Sequence, residues 1–242
     1  MTENRDFLVI AHRGASKEAP ENTLKAFEKA IKLGADFVEF DVHLTKDKEV
    51  IIIHDEDTYR TTGQKGLVKD MTLKEIKMLQ CEGRESIPTL KELIKLAKGK
   101  IGLQCEIKAE GLASIIVEMF RTYSLIEESI VSSFNMDELK KVQELEPELR
   151  LASLEPTTPN LSEEGGFKEQ VIKRAKDLNC YAIHPLYRLI DEQLIALAHE
   201  NNIRVHPWTV DSTIAMKKLI NWGVDGIITN DIRKIQKILE KR

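Results

Sequence analysis

Residues 37–43 read Phe37-Val38-Glu39-Phe40-Asp41-Val42-His43. In an extended strand, successive side chains point to opposite faces. One face of this run therefore carries Glu39, Asp41 and His43, and the other carries Val38, Phe40 and Val42. The same alternation returns in Gln104-Cys105-Glu106-Ile107-Lys108, with Gln104, Glu106 and Lys108 on one face and Cys105 and Ile107 on the other. Apolar faces of this kind suit packing against helices. The charged faces must then meet one another, and in a closed parallel barrel they meet in the mouth.

Outward from these two runs, short β-like stretches alternate with amphipathic helical patterns. The expected strands are 7–12, 37–43, 101–107, 129–133, 150–154, 181–184, 204–209 and 226–229. Helical patterns fall at 23–33, 90–98, 136–145, 170–178, 191–202 and 212–221, with Asn22, Thr89 and Asn135 as candidate caps. The basic tail 237–242 suits the C-terminal end of a last helix. Eight strands with helical crossovers predict an α/β chain folded as a (β/α)8 TIM barrel. A doubly wound sheet is the structural rival, weakened because no Gly-x-Gly-x-x-Gly follows the first strand.

One stretch breaks the alternation. Val50–His54 follows strand two too closely for a crossover helix and reads as a hairpin returning antiparallel to it. From Asp55 to Ser86 the chain is polar, with one short helical pattern at 73–79. The expectation is a single catalytic domain over residues 1–242, with a small insertion after strand two, residues 55–86, forming an inserted subdomain on the face where barrel active sites lie.

The chain has 242 residues, 42% of them hydrophobic, enough for a sizeable core and against disorder. No apolar run reaches membrane-spanning length, and the stretch 7–11 does not read as a signal-peptide core. The formal net charge of -4 shows no basic surplus, so a nucleic-acid partner is not expected. Three widely spaced cysteines match neither a disulfide framework nor a zinc motif. The chain reads as cytoplasmic, without stable membrane association, and its oligomeric state is open.

The chemistry is read from the strand ends. Glu39, Asp41 and Glu106 form an all-oxygen set suited to a divalent metal ion, Mg²⁺ or Ca²⁺, rather than zinc. His12 and His54 each end a strand and can serve as base and acid. Arg13 and Lys108 offer cations for phosphate oxygens. Trp208 should face inward as an aromatic wall for a ligand or a plug of the barrel, and Glu155 is a further candidate for ligand contact. His43 shares the parity of the carboxylates, while His184 and His206 suit supporting or structural roles. Neither a nucleophile elbow nor a P-loop is present, which leaves metal-assisted displacement at phosphorus.

These residues, taken in order, resemble the glycerophosphodiester phosphodiesterase family. His12-Arg13-Gly14, Glu21-Asn22-Thr23, Glu39-x-Asp41, His54-Asp55, Glu106-x-Lys108, Ser132-Ser133-Phe134, Trp208-Thr209 and Asp225-Gly226-Ile227-Ile228-Thr229 carry the likeness over nearly the whole chain. The resemblance implies a barrel with a subdomain inserted after strand two, and hydrolysis of a small-molecule glycerophosphodiester to an alcohol and sn-glycerol 3-phosphate. It implies that Glu39, Asp41 and Glu106 bind the metal, that His12 and His54 are base and acid, and that Arg13 and Lys108 hold the phosphate. It also implies attack by the substrate's own 2-hydroxyl, giving a cyclic phosphate that water opens. Two alternatives stand beside it: a lysophospholipase D-type hydrolase, and a non-catalytic phosphate-ligand binding protein.

Overall fold

The computed structural model describes residues 7–156 and 166–241. Nine strands appear among them: β1 (Leu8–Ala11), β2 (Phe37–Leu44), β3 (Val50–Ile52), β4 (Gly102–Ile107), β5 (Ser129–Ser133), β6 (Arg150–Glu155), β7 (Ala182–Pro185), β8 (Arg204–Val205) and β9 (Gly226–Thr229). The helices are α1 (Leu24–Lys32), α2 (Tyr59–Thr62), α3 (Leu73–Ile76), α4 (Leu90–Ala97), α5 (Ala113–Thr122), α6 (Met136–Leu145), α7 (Phe167–Asp177), α8 (Glu192–Glu200), α9 (Thr213–Trp222) and α10 (Ile232–Leu239). The strands run in the order β8-β7-β6-β5-β4-β2-β1-β9, parallel throughout, with β3 antiparallel on β2. The expected (β/α)8 barrel is therefore the fold.

The barrel closes irregularly between β8 and β9. Strand eight was expected over 204–209, but regular pairing stops at Val205 because Pro207 has no N–H to give the ladder. The backbone stays near its neighbours all the same. Asp225 N donates to Val205 O at 3.0 Å, Ile228 N to Pro207 O at 3.0 Å, and Val210 N to Ile228 O at 3.0 Å.

Side chains fill the barrel from below. Ile10, Phe37, Ile130, Ala152, Ala182 and Ile228 form the interior cluster, while the other strand faces pack on the helices around Phe27, Phe40, Leu93, Ile116 and Phe120. Gly102 is required by that interior, because a Cβ there would lie 2.5 Å from the Phe37 ring. The hairpin strand and the stretch behind it bury a separate cluster, Ile51, Ile53, Val68, Ile76, Leu79, Cys81 and Ile87. That small core holds residues 53–87 over the carboxyl end of the barrel strands.

Three local expectations change. Thr23, not Asn22, caps α1, its side chain accepting from Ala26 N. Asn22 is turned inward in a left-handed conformation (φ 55°) for a different purpose. Helix α7 begins at Phe167, a turn earlier than its apolar pattern suggests, and α10 occupies Ile232–Leu239, of which only the basic end was legible. Arg242 of that tail lies outside the described residues.

Candidate active site

The site grows out of two neighbouring strands and one tight turn. Register pairs Glu39 with Gln104 and Asp41 with Glu106 across β2 and β4. That pairing puts the three carboxylates side by side, with ligand atoms within 4.8 Å of one another. All three are buried. Glu39 Oε1 has no hydrogen-bond partner, and a buried carboxylate oxygen left in that state points to a cation.

Beyond β1 the chain turns sharply. Arg13 sits at φ 54° and Gly14 at φ 81°, where a Cβ on residue 14 would press on the Ala26 backbone at 2.8 Å. The turn aims Arg13 N at Glu39 Oε2, 2.8 Å away, and the guanidinium at Asp41 Oδ2, 3.4 Å, and Glu21 Oε1, 2.9 Å. Asn22 contributes its amide to Asp41 Oδ2 at 2.8 Å. Lys108, just past β4, places its ammonium 3.2 Å from Asp41 Oδ1 and pairs with Glu106.

The charges respond accordingly. Burial, then Asp41 and Glu106, push the Glu39 carboxyl well up. Burial and Asp41 likewise raise Glu106 to about 7, against the pull of Lys108. Asp41 is also raised by burial, but Lys108 and Arg13 outweigh it and hold the group below the usual carboxylate range. Two cations thus neutralise three carboxylates only in part.

His12 and His54 face the same open pocket of about 410 Å³, along with Arg13, Glu39, Glu106 and Lys108. Gln104 and Ile228 lie below, and Phe134, Leu154 and Trp208 line the remainder. His12 is lowered to about 4, by burial first and then by Arg13. The His54 ring nitrogen Nδ1 donates to Asp55 Oδ1 at 2.6 Å, and Asp55 is held at about 2 chiefly by Arg60. Trp208 meets Phe134 edge-on at 5.8 Å and ties its indole N–H to His184 O at 2.8 Å.

Not every sequence candidate reaches the pocket. Glu155 is turned away. Ala152 and Leu154 hold the inward parity of β6, so Glu155 faces α7, fully buried, and accepts from Arg174 Nη2 at 2.9 Å. His43 is buried against the hairpin with its Nε2 3.1 Å from His54 O, supporting that loop. His184 and His206 stack in a chain under the pocket, from Gln104 to His184 at 3.3 Å and on to His206 at 3.2 Å. Sequence reasoning missed the support for His12: Asn230 Oδ1 stands 2.8 Å from His12 Nδ1. Its only signal was a position just beyond a strand end.

A parallel barrel with carboxylates, cationic side chains and two imidazoles gathered at its strand ends defines a barrel hydrolase acting on a phosphoric ester. The glycerophosphoryl diester phosphodiesterase family model matches residues 12–234. A glycerophosphodiester phosphodiesterase of Caldanaerobacter subterraneus subsp. tengcongensis is 38% identical, covering 97% of this chain and 98% of its own. Among solved structures, a phosphodiesterase of Oleispira antarctica in complex with the product sn-glycerol-3-phosphate superposes with TM-score 0.85 at 30% identity over 96% of each chain. The glycerophosphodiester phosphodiesterase of Thermotoga maritima gives 0.80 at 28% identity over 98% of each. This chain belongs to the glycerophosphoryl diester phosphodiesterase family, and it is an enzyme of that reaction class.

Proposed function

We propose that this site hydrolyses a glycerophosphodiester to an alcohol and sn-glycerol 3-phosphate, with Glu39, Asp41 and Glu106 holding one divalent ion, Mg²⁺ or Ca²⁺. The carrying observation is the charge of the pocket. Three buried carboxylates against Arg13 and Lys108 leave one negative charge. A divalent cation and a singly charged phosphodiester bring the set to neutrality. The donors are all oxygen, the class a hard cation prefers, and Glu39 Oε1 lacks a partner that such an ion would supply. When bound, the ion polarises the phosphoryl oxygen and steadies the charge that develops there.

The chain's own groups do the rest. Arg13 and Lys108 exchange part of their carboxylate contacts for phosphate oxygens and orient the diester. His12 and His54 move protons at the attacking and departing oxygens. Trp208 and Phe134 wall the pocket against the glycerol moiety. Residues 55–86 act as the inserted subdomain of a single catalytic domain, covering one end of the substrate. A cytoplasmic location belongs to the same reading, supported by three buried free thiols, Cys81, Cys105 and Cys180. No helix among the described residues is long and apolar enough to cross a membrane.

Single replacements His12→Ala and His54→Ala test the reading. Each should lower turnover of glycerophosphocholine by about 10²–10⁴-fold while the thermal transition stays cooperative. Full activity in either variant would remove that histidine from the reaction.

A further inference from the structure

The two pocket histidines are supported by different groups. Behind His54 Nδ1 stands a carboxylate, Asp55; behind His12 Nδ1 stands a neutral amide, Asn230. The orientation of that amide is fixed from its other end. Asp211 accepts at Oδ2 from Asn230 Nδ2 at 2.6 Å, and at Oδ1 from Asn230 N at 2.9 Å and from Thr229 Oγ1 at 2.9 Å. A carboxylate so engaged can only accept, so the amide NH₂ must face Asp211 and the amide oxygen must face His12. That oxygen in turn accepts, so the proton of a neutral His12 resides on Nδ1. The Nε2 lone pair is left free.

We propose that Asn230, held by Asp211, is a positioning residue that locks His12 in its Nδ1–H tautomer, so that Nε2 is the base for the hydroxyl that attacks phosphorus. The proposal rests on the phosphodiesterase reading. In the step it serves, the hydroxyl proton passes to His12 Nε2 while the hydroxyl oxygen's electron pair forms the new O–P bond. The bond from phosphorus to the departing alcohol oxygen breaks with its electron pair, and that oxygen takes a proton from His54. Burial and the neighbouring Arg13 favour the neutral His12 ring, against the pull of the Asn230 hydrogen bond. The free Nε2 lone pair is what fits His12 to take the proton in this step. Ser16 braces the same junction, its Oγ 2.7 Å from Asn230 Oδ1 and 2.8 Å from His12 O.

Long-range ¹H–¹⁵N correlation on protein labelled at histidine nitrogen reads the tautomer directly, with His12 assigned by its loss in the His12→Ala variant. The unaltered protein should show His12 protonated on Nδ1 and bare on Nε2. Asn230→Ala should mix the two tautomers and lower kcat by roughly 10–100-fold with KM little changed, because a misplaced proton removes the base without removing the binding groups. The swapped pair N230D/D211N keeps the chain of acceptors and donors but moves the negative charge next to His12. It should restore the Nδ1–H tautomer and most of kcat. It should also move the acidic limb of the pH–rate profile upward, since Arg13 from the same turn, Asp41 from β2 and Glu21 from the loop before α1 are unchanged around the ring. An Nε2–H tautomer in the unaltered protein, or an Asn230→Ala enzyme with full kcat, would overturn the proposal. Failure of the unaltered enzyme to turn over glycerophosphodiesters would refute the reading beneath it, and the tautomer spectra would still judge the relay on their own.

Discussion

Replacing Glu39 by Gln should make the metal-free protein more stable and the metal-loaded protein less responsive. Glutamine keeps the shape of the side chain and an oxygen for Arg13 N, so the change is one of charge. With the carboxylate atoms within 4.8 Å of one another, each like-charge pair costs roughly 3.5 kcal/mol at an effective dielectric near 20. Glu39 takes part in two such pairs, partly offset by Arg13, and its carboxyl is pushed up overall, first by burial and then by Asp41 and Glu106. The net relief should be about 2 kcal/mol, or roughly 4–8 °C in Tm for a chain of this size. Metal acts in the opposite sense on the parent. An ion at a hundred times its Kd stabilises by about 2.7 kcal/mol, roughly 5–11 °C. Thermal unfolding in chelator and in excess Mg²⁺ or Ca²⁺ gives both quantities. A Glu39→Gln protein that melts below the parent in chelator, and gains as much as the parent from metal, would refute the reasoning.

Three further outcomes are expected. Glu155→Gln should lower Tm by weakening the buried pair with Arg174 and leave KM for the diester unchanged; a raised KM with unchanged Tm would return Glu155 to the pocket. Gly102→Ala should cost about 1–3 kcal/mol through overpacking on the Phe37 ring, and Phe37→Leu in the same chain should recover part of the loss in urea unfolding. His184 is lowered to about 3 and His206 is also lowered, both by burial first. A histidine depressed on folding is protonated more readily in the unfolded chain, so stability is lost as pH falls below the unfolded value near 6.5. His184 should contribute a loss of about 2 kcal/mol by pH 5, and His206 a further loss in the same direction, measurable by urea unfolding in saturating divalent ion.

The barrel and its charged mouth were legible because period-two alternation sorts β2 and β4 into one charged and one apolar face each. The same parity rule places Trp208 inward. Applied to Ala152 and Leu154 it also turns Glu155 outward, so that residue's misplacement came from reading it as loop rather than as the last residue of β6. Support for the site was harder to see. Asn22 and Arg13 adopt left-handed backbone conformations that no pattern announces, and Asn22 looks like a cap until the turn is built. Asn230 and Asp211 meet His12 only through barrel closure, which joins chain segments about two hundred residues apart. Pro207 interrupts the strand expected over 204–209, and the hydrogen bonds that keep the barrel shut there depend on the position of β9.

The most direct test is release of glycerol 3-phosphate from glycerophosphocholine, followed by a coupled dehydrogenase. It would be run with Mg²⁺, with Ca²⁺ and with excess chelator, with lysophosphatidylcholine as a parallel substrate. Product is expected in at least one metal, with its loss in chelator and its return when metal is restored. Turnover that persists undiminished in chelator would contradict the metal site at Glu39, Asp41 and Glu106. Absence of glycerol 3-phosphate from the small diester, under every condition, would contradict the proposed reaction itself.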